Sequence, residues 1–128
     1  GAIANAPDWV ITNPPFNKAL PIAARMLPRA RAGVALLLRL NWLETQGRWE
    51  LFRAYPPSDV LVFSERVPMK KNIYDPDGST ATCYAWFVWD RIKLREQDHV
   101  RLHWLPPGTK ARLLKPEDDE VREGYRVA

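Results

Sequence analysis

Five consecutive apolar residues, Val34 to Leu38, set the strongest constraint on the fold of this 128-residue chain. Gly33 opens the run and Arg39-Leu40 closes it, giving a segment of strand length with no polar residue before Arg39. A strand without alternation is buried on both faces, which predicts a parallel strand at the centre of a sheet. Helices to cover it are readable on either side. Asn17 can cap a helix through about Arg31, with Leu20, Ala23, Ala24 and Leu27 as its apolar stripe; Pro21 fits the first turn and Pro28 ends or kinks it. A second helix is predicted over residues 44–54, with Trp49, Leu51 and Phe52 available to pack and Tyr55-Pro56-Pro57 as its stop.

Two further β-rich runs bracket these helices, Asp8-Trp-Val-Ile-Thr12 and Asp59-Val-Leu-Val-Phe-Ser64. Strand, helix, strand, helix, strand is the order of a wound α/β sheet with right-handed crossovers. Residues 65–81 break the alternation: Pro68, Asn72, Pro76, Asp77 and Gly78 are turn formers, and a long loop is expected. Residues 82–90 then read as a strongly β-forming strand, residues 91–99 as a polar turn, and residues 100–105 as one more strand. Pro106-Pro107-Gly108 closes the folded part. One domain is therefore expected over residues 1–107, and a charged tail carrying the acidic Glu117-Asp-Asp-Glu120 over residues 108–128.

Hydrophobic residues make up 46% of the chain and charged ones 27%, a globular balance rather than a disordered one. The longest apolar run is far below the ~20 residues that cross a bilayer, and no signal-peptide pattern opens the sequence, so a cytoplasmic location away from membranes is expected. The lone Cys83 excludes an internal disulfide and sits in an apolar run where it reads as buried. Charge is uneven: residues 17–55 hold Lys18, Arg25, Arg29, Arg31, Arg39, Arg48 and Arg53 against Glu44 and Glu50. That bias suits a polyanionic partner through phosphate attraction and counterion release.

The first strand stops at Asn13-Pro14-Pro15-Phe16, where two prolines remove backbone donors and hold the preceding backbone extended. With helix, buried strand, helix, strand, excursion and β run following it, this loop resembles that of the S-adenosylmethionine-dependent DNA N6-adenine methyltransferases of phage and bacterial type. The resemblance spans residues 8–91 and extends to Gly33-Val-Ala-Leu-Leu-Leu-Arg-Leu40 and Tyr84-Ala-Trp-Phe-Val-Trp89. It implies the C-terminal half of the class I, Rossmann-like methyltransferase fold: a three-layer α/β arrangement with a mixed sheet, flanked by helices and completed by a final antiparallel strand.

The resemblance implies that Asn13 and Pro14 hold the target amine, Pro15 shapes the loop and Phe16 stacks on the base. The chemistry fits those residue types. An adenine N6 amine is a poor nucleophile because its lone pair is delocalised into the ring, so a catalyst should accept hydrogen bonds from it as it attacks a methyl group. The Asn13 side-chain oxygen and the Pro14 carbonyl are two such acceptors on a loop stiffened by proline. A duplex hides the amine, so the nucleotide must be extruded, and Phe16 offers a face to stack it. Lys18, Lys70 and Lys71 are the expected phosphate contacts, with DNA the expected partner. Asn-Pro-Pro-aromatic loops also serve methyltransferases of RNA guanine and of protein glutamine, and the motif does not separate these; a non-catalytic nucleic-acid-binding or assembly module is the alternative of another class.

The methyl donor of this family lies on a glycine-rich loop after the first strand of the fold. Seven residues precede Asp8, against the ~30 that one βαβ unit needs, and the glycines are scattered, so S-adenosylmethionine is expected for the family while its main binding half is not expected here. The chain is then a fragment, a derived module or part of a split enzyme, inactive by itself. The strand at residues 8–12 would be left on an open edge, which predicts a homodimer or a partner chain pairing along it. His99 and His103 are four apart, but the alternation around them is that of a strand, and no metal site is expected. Trp86 and Trp89, in the strong β run, read as core, and Glu44 and Asp90 are not needed as bases.

Overall fold

The computed structural model describes residues 6–44, 46–65, 67–70, 73–74 and 81–109. Strand β1 (Trp9–Thr12) leads through a 3₁₀ turn (Phe16–Lys18) into helix α1 (Ala19–Met26), and β2 (Gly33–Arg39) leads through a second 3₁₀ turn (Leu40–Leu43) to α2 (Gln46–Ala54). After β3 (Asp59–Phe63) come three short strands, β4 (Val67–Lys70), β5 (Ile73–Tyr74) and β6 (Ala81–Thr82). The chain then forms β7 (Tyr84–Asp90), α3 (Arg91–Glu96) and β8 (Arg101–Leu105).

The molecule is an α/β fold built on a five-stranded mixed sheet in the order β1-β2-β7-β3-β8. β1 and β2 run parallel, with Val10 opposite Val34 and Thr12 opposite Leu36. β7 is antiparallel to both β2 and β3, while β8 lies parallel to β3 at the far edge. The middle position thus belongs to β7, not to β2 as the apolar run predicts. β7 has the cross-strand partners to take it: Phe87 lies opposite both Leu36 and Val60, so one aromatic ring joins three strands. The last strand of the described sheet is therefore the parallel β8, and the antiparallel strand lies inside.

Even-numbered residues of β2 (Val34, Leu36, Leu38) share one buried cluster with Ala19, Ala23 and Leu27 around α1, with Leu51 of α2 and with Leu94 of α3. Leu37 points the other way, packing with Phe63 and Tyr84. The three described helices hence all pack on the even face, giving two described layers where three are expected. Burial of Val34, Leu36 and Leu38 to 2% exposure or less contributes about 1.5–3 kcal/mol each. Trp42, fully buried after β2, meets Phe52 and Phe87 edge-on with ring centroids 5.4 Å apart in each case. That contact ties α2 to the sheet.

Several local expectations are corrected. α1 begins at Ala19 and ends at Met26 rather than spanning residues 17–31, because Phe16–Lys18 take the tighter 3₁₀ path and Pro28 lies beyond the last turn. Ala24 faces solvent, and Ala19 takes its place in the stripe. Residues 91–99 contain α3 instead of a plain turn: the Asp90 carboxylate accepts from the amides of Ile92 (3.0 Å) and Lys93 (3.4 Å), capping the helix. Within the expected loop at residues 65–81, β4 pairs antiparallel with β5 and with β6. Cys83 is only half-buried. Among the tryptophans, Trp89 is core and Trp86 is half-buried, while Trp49 and Trp104 are exposed. The tail at residues 110–128 lies outside the described residues.

Three long-range polar ties hold the end of the sheet opposite the Asn13 loop. Arg91 donates from Nε to the Ala30 carbonyl (2.7 Å) and from a terminal nitrogen to the Leu27 carbonyl, satisfying acceptors where α1 ends. Ser58, fully buried, donates to the Val88 carbonyl and accepts from the Asp90 amide. Asp59, also buried, accepts from His103 (2.9 Å) and Lys93 (3.3 Å), joining β3 to β8 and α3. Burial pushes the Asp59 carboxyl up, but hydrogen bonds from His103, Ser58 and Lys93, with the Lys93 charge, outweigh it and hold the carboxyl below its ordinary value.

Candidate nucleic-acid base site

Parallel strands leave their following loops side by side at the carboxyl end of the sheet, the usual place for ligands in open α/β sheets. Here β1 and β2 are such a pair. Thr12 lies opposite Leu36, so the loop that begins at Asn13 emerges beside Leu37, Leu38 and Arg39. β7 runs the opposite way and brings its first residue, Tyr84, to the same end, opposite Arg39.

The loop is shaped by its prolines. Pro15 is extended (φ −55°, ψ 141°), and its carbonyl accepts from the Lys18 amide at 2.9 Å, closing the 3₁₀ turn that starts at Phe16. Asn13 is 6% exposed and Pro14 is buried, whereas Pro15 and Phe16 are exposed. Asn13, Pro14 and Phe16 together line one recess, with Leu37 and Arg39 from β2 and Tyr84 from β7. Pro15 does not line it. The recess is tight, about 10 Å³, which is the space of a single water. Across the Leu40 amide to Cys83 carbonyl bond (2.9 Å) lies a shallow depression of about 430 Å³ lined by Leu40, Asn41, Leu43, Glu44, Thr82 and Cys83. The recess therefore has room for a small exocyclic group and none for a planar ring.

The sequence-predicted residues divide in this structure. Asn13, Pro14 and Phe16 are brought together. Lys18 is exposed at the end of the same 3₁₀ turn. Lys70 ends β4, and Lys71 lies outside the described residues.

Two residues that motif reasoning does not assign to the site stand over it. The Arg39 guanidinium lies 5.4 Å from the Phe16 ring centroid and that of Arg48 lies 5.6 Å from it, cation–π distances in both cases. Arg39 is legible as the one charge ending an otherwise apolar strand. Arg48 carries no sequence signal, because its place over Phe16 depends on how α2 docks. His99 bonds Asp98 and His103 bonds Asp59.

The described glycines lie away from any strand-to-helix loop of the kind that holds a nucleotide. Gly33 lies inside β2, where an added Cβ would meet the Trp89 carbonyl oxygen at 2.3 Å, and Gly47 lies in α2. Gly108 sits in a turn with φ +91°. None of them opens a strand-to-helix nucleotide loop. No described helix is long and apolar enough to cross a membrane. Set against models of known protein families, curated proteins and solved structures, the chain matches none.

Proposed function

We propose that this chain is the target-base half of an S-adenosylmethionine-dependent methyltransferase acting on the N6 amine of adenine in DNA. The observation that carries the reading is the convergence of Asn13, Pro14 and Phe16 on one recess at the carboxyl end of a parallel strand pair. The strand order supports it: two parallel strands, an antiparallel strand inserted third and a strand parallel to the first two beyond it correspond to the second half of the class I methyltransferase sheet. In this reading the extruded adenine stacks on Phe16 and directs its amine into the recess. The Asn13 oxygen and Pro14 carbonyl accept the two amine hydrogens, drawing density onto N6. The donor, S-adenosylmethionine, would be carried by the other half of the fold, since none of the described glycines forms a nucleotide loop.

β1 has one neighbour in the described sheet, β2, and its Ile11 is 38% exposed. We propose that a second chain, another copy or the complementary half, pairs along β1, because an apolar edge of this kind associates unless covered.

The test is binding of a single-stranded oligonucleotide carrying one adenine, against the same strand carrying N6,N6-dimethyladenine, which has no amine hydrogens. Two hydrogen bonds of about 0.5–1.5 kcal/mol each predict a preference of roughly 5- to 150-fold for adenine. Asn13→Ala reduces it and Phe16→Ala weakens both ligands. Equal affinity of the wild-type chain for the two strands refutes the reading.

A further inference from the structure

Phe16 is flanked by two cations. Arg39 and Arg48 both lie within 5.6 Å of the same ring centroid, so their guanidiniums are within about 11 Å of each other. Neither makes an ion pair with a described acidic residue. Arg48 donates one terminal N–H to the Glu44 carbonyl on its own segment (2.7 Å), but its Nε is buried and meets no acceptor among the described residues. The same is true of Nε1 of Trp42, whose ring lies 5.9 Å from the Arg48 guanidinium. An orphaned buried donor costs about 1–3 kcal/mol, while an exposed cation–π contact returns about 0.5–1 kcal/mol. Two like charges beside one ring, one of them with a buried Nε that meets no acceptor among the described residues, call for an anionic acceptor.

We propose that Arg39 and Arg48 form a phosphate clamp around Phe16 that binds the phosphodiester flanking the nucleotide stacked on that ring. The inference rests on the reading of Phe16 as the base platform and adds the groups that hold the strand. Guanidinium is suited to the task, since its planar fork takes phosphate oxygens in pairs. Lys18, exposed at the end of the 3₁₀ turn that Phe16 begins, adds a third positive charge to the same loop. The ring contacts make the clamp conditional. In the free chain the guanidiniums rest against Phe16; a base sliding onto the ring displaces a guanidinium from its face, and the long side chain swings to the adjoining phosphate. Base stacking and phosphate binding are thereby coupled, and the ring is kept from bare exposure until a nucleotide arrives.

The experiment is a salt titration of binding to a fluorescently labelled single-stranded oligonucleotide with one adenine, and to the same strand with an abasic site. It compares wild type with Arg39→Ala, Arg48→Ala, Arg39→Lys, Asn13→Ala and Phe16→Ala, each checked for native circular dichroism. Each arginine-to-alanine change is expected to weaken the adenine strand about tenfold at low salt and to reduce its slope of log K against log salt by about 0.7, with a smaller effect on the abasic strand, which brings no base to displace a guanidinium. Arg39→Lys should keep the slope, since it keeps the charge, but lose affinity. Unchanged slopes in both alanine variants overturn the clamp; if Asn13→Ala and Phe16→Ala still abolish the preference for the adenine strand, the base site survives that failure. The converse, shallower slopes with no adenine preference in any variant, leaves the clamp and removes the base site. Absence of saturable binding of wild type to either strand at low salt overturns the clamp outright. Arg39 is exposed, so its variants test the idea even if Arg48→Ala unfolds.

Discussion

Gly33→Ala gives a sharp test of how β1, β2 and β7 are fitted together. A Cβ at this position would lie 2.3 Å from the Trp89 carbonyl oxygen and 2.5 and 2.6 Å from two carbons of the Trp9 ring. The tryptophan ring can turn, but the carbonyl is backbone, held in the β2–β7 ladder where Gly33 lies opposite Asp90. Relief therefore requires the ladder to open at that end and also Trp9, the residue registered on Gly33, to turn or to carry β1 away from β2. Overpacking of this kind costs typically 1–3 kcal/mol, and a backbone obstacle places it near the top, about 3 kcal/mol. For a domain of this size that is roughly 10 °C in Tm. Gly47→Ala is the matched control: the nearest atom to its Cβ is Leu20 Cδ2 at 3.8 Å, ordinary contact, and the helix gains about 0.5 kcal/mol. The assay is urea denaturation followed by circular dichroism. Gly33→Ala as stable as wild type would refute the reasoning, because the Trp89 carbonyl could not then lie where the register puts it. A displaced β1 also shifts Asn13, three residues beyond Val10, so loss of the adenine preference should accompany loss of stability.

Asp90→Ala removes the cap of α3 and should cost about 1 kcal/mol in the same assay, with Asp90→Asn recovering most of it. For Asp59, whose folded value is lowered, the stabilising contribution is complete above the unfolded value near pH 4 and disappears as pH falls through the folded one. Denaturation midpoints from pH 7 down to pH 2 should therefore fall more steeply for wild type than for Asp59→Asn, and parallel curves would contradict the geometry around His103. At the open edge, light scattering should give a mass above one chain and hydrogen exchange should find protected amides throughout Trp9–Thr12. A strict monomer with fast exchange there would end the proposal of a paired β1.

Much of the architecture was legible because it follows from local chemistry. The unbroken apolar run at Val34 to Leu38 is buried on both faces as its lack of polar residues requires, and all five residues are 8% exposed or less. Pro56 and Pro57 placed the end of α2, and prolines stiffened the Asn13 loop. What was misread shows the limits of that information. Asp90 was visible as a residue but not as a cap, because capping depends on the turn taken by the backbone after β7. Trp49 and Trp104 carry the same apolar content as Trp89 yet are exposed; Trp49 instead lies under the Arg53 guanidinium at 5.4 Å. Hydrophobicity does not say which face of an edge element is covered.

The sequence by itself determined the alternation of strands and helices, the doubly buried β2 and the rigid Asn-Pro-Pro-Phe loop at a strand end, since each depends on residues within a few positions of one another. Only the tertiary structure decided that β7 inserts between β2 and β3, that Tyr84 faces Arg39, and that Arg39 and Arg48 meet over Phe16. Those relations join residues tens of positions apart. They are fixed by how the sheet's partners share one hydrophobic core, a constraint that no local run of side chains contains.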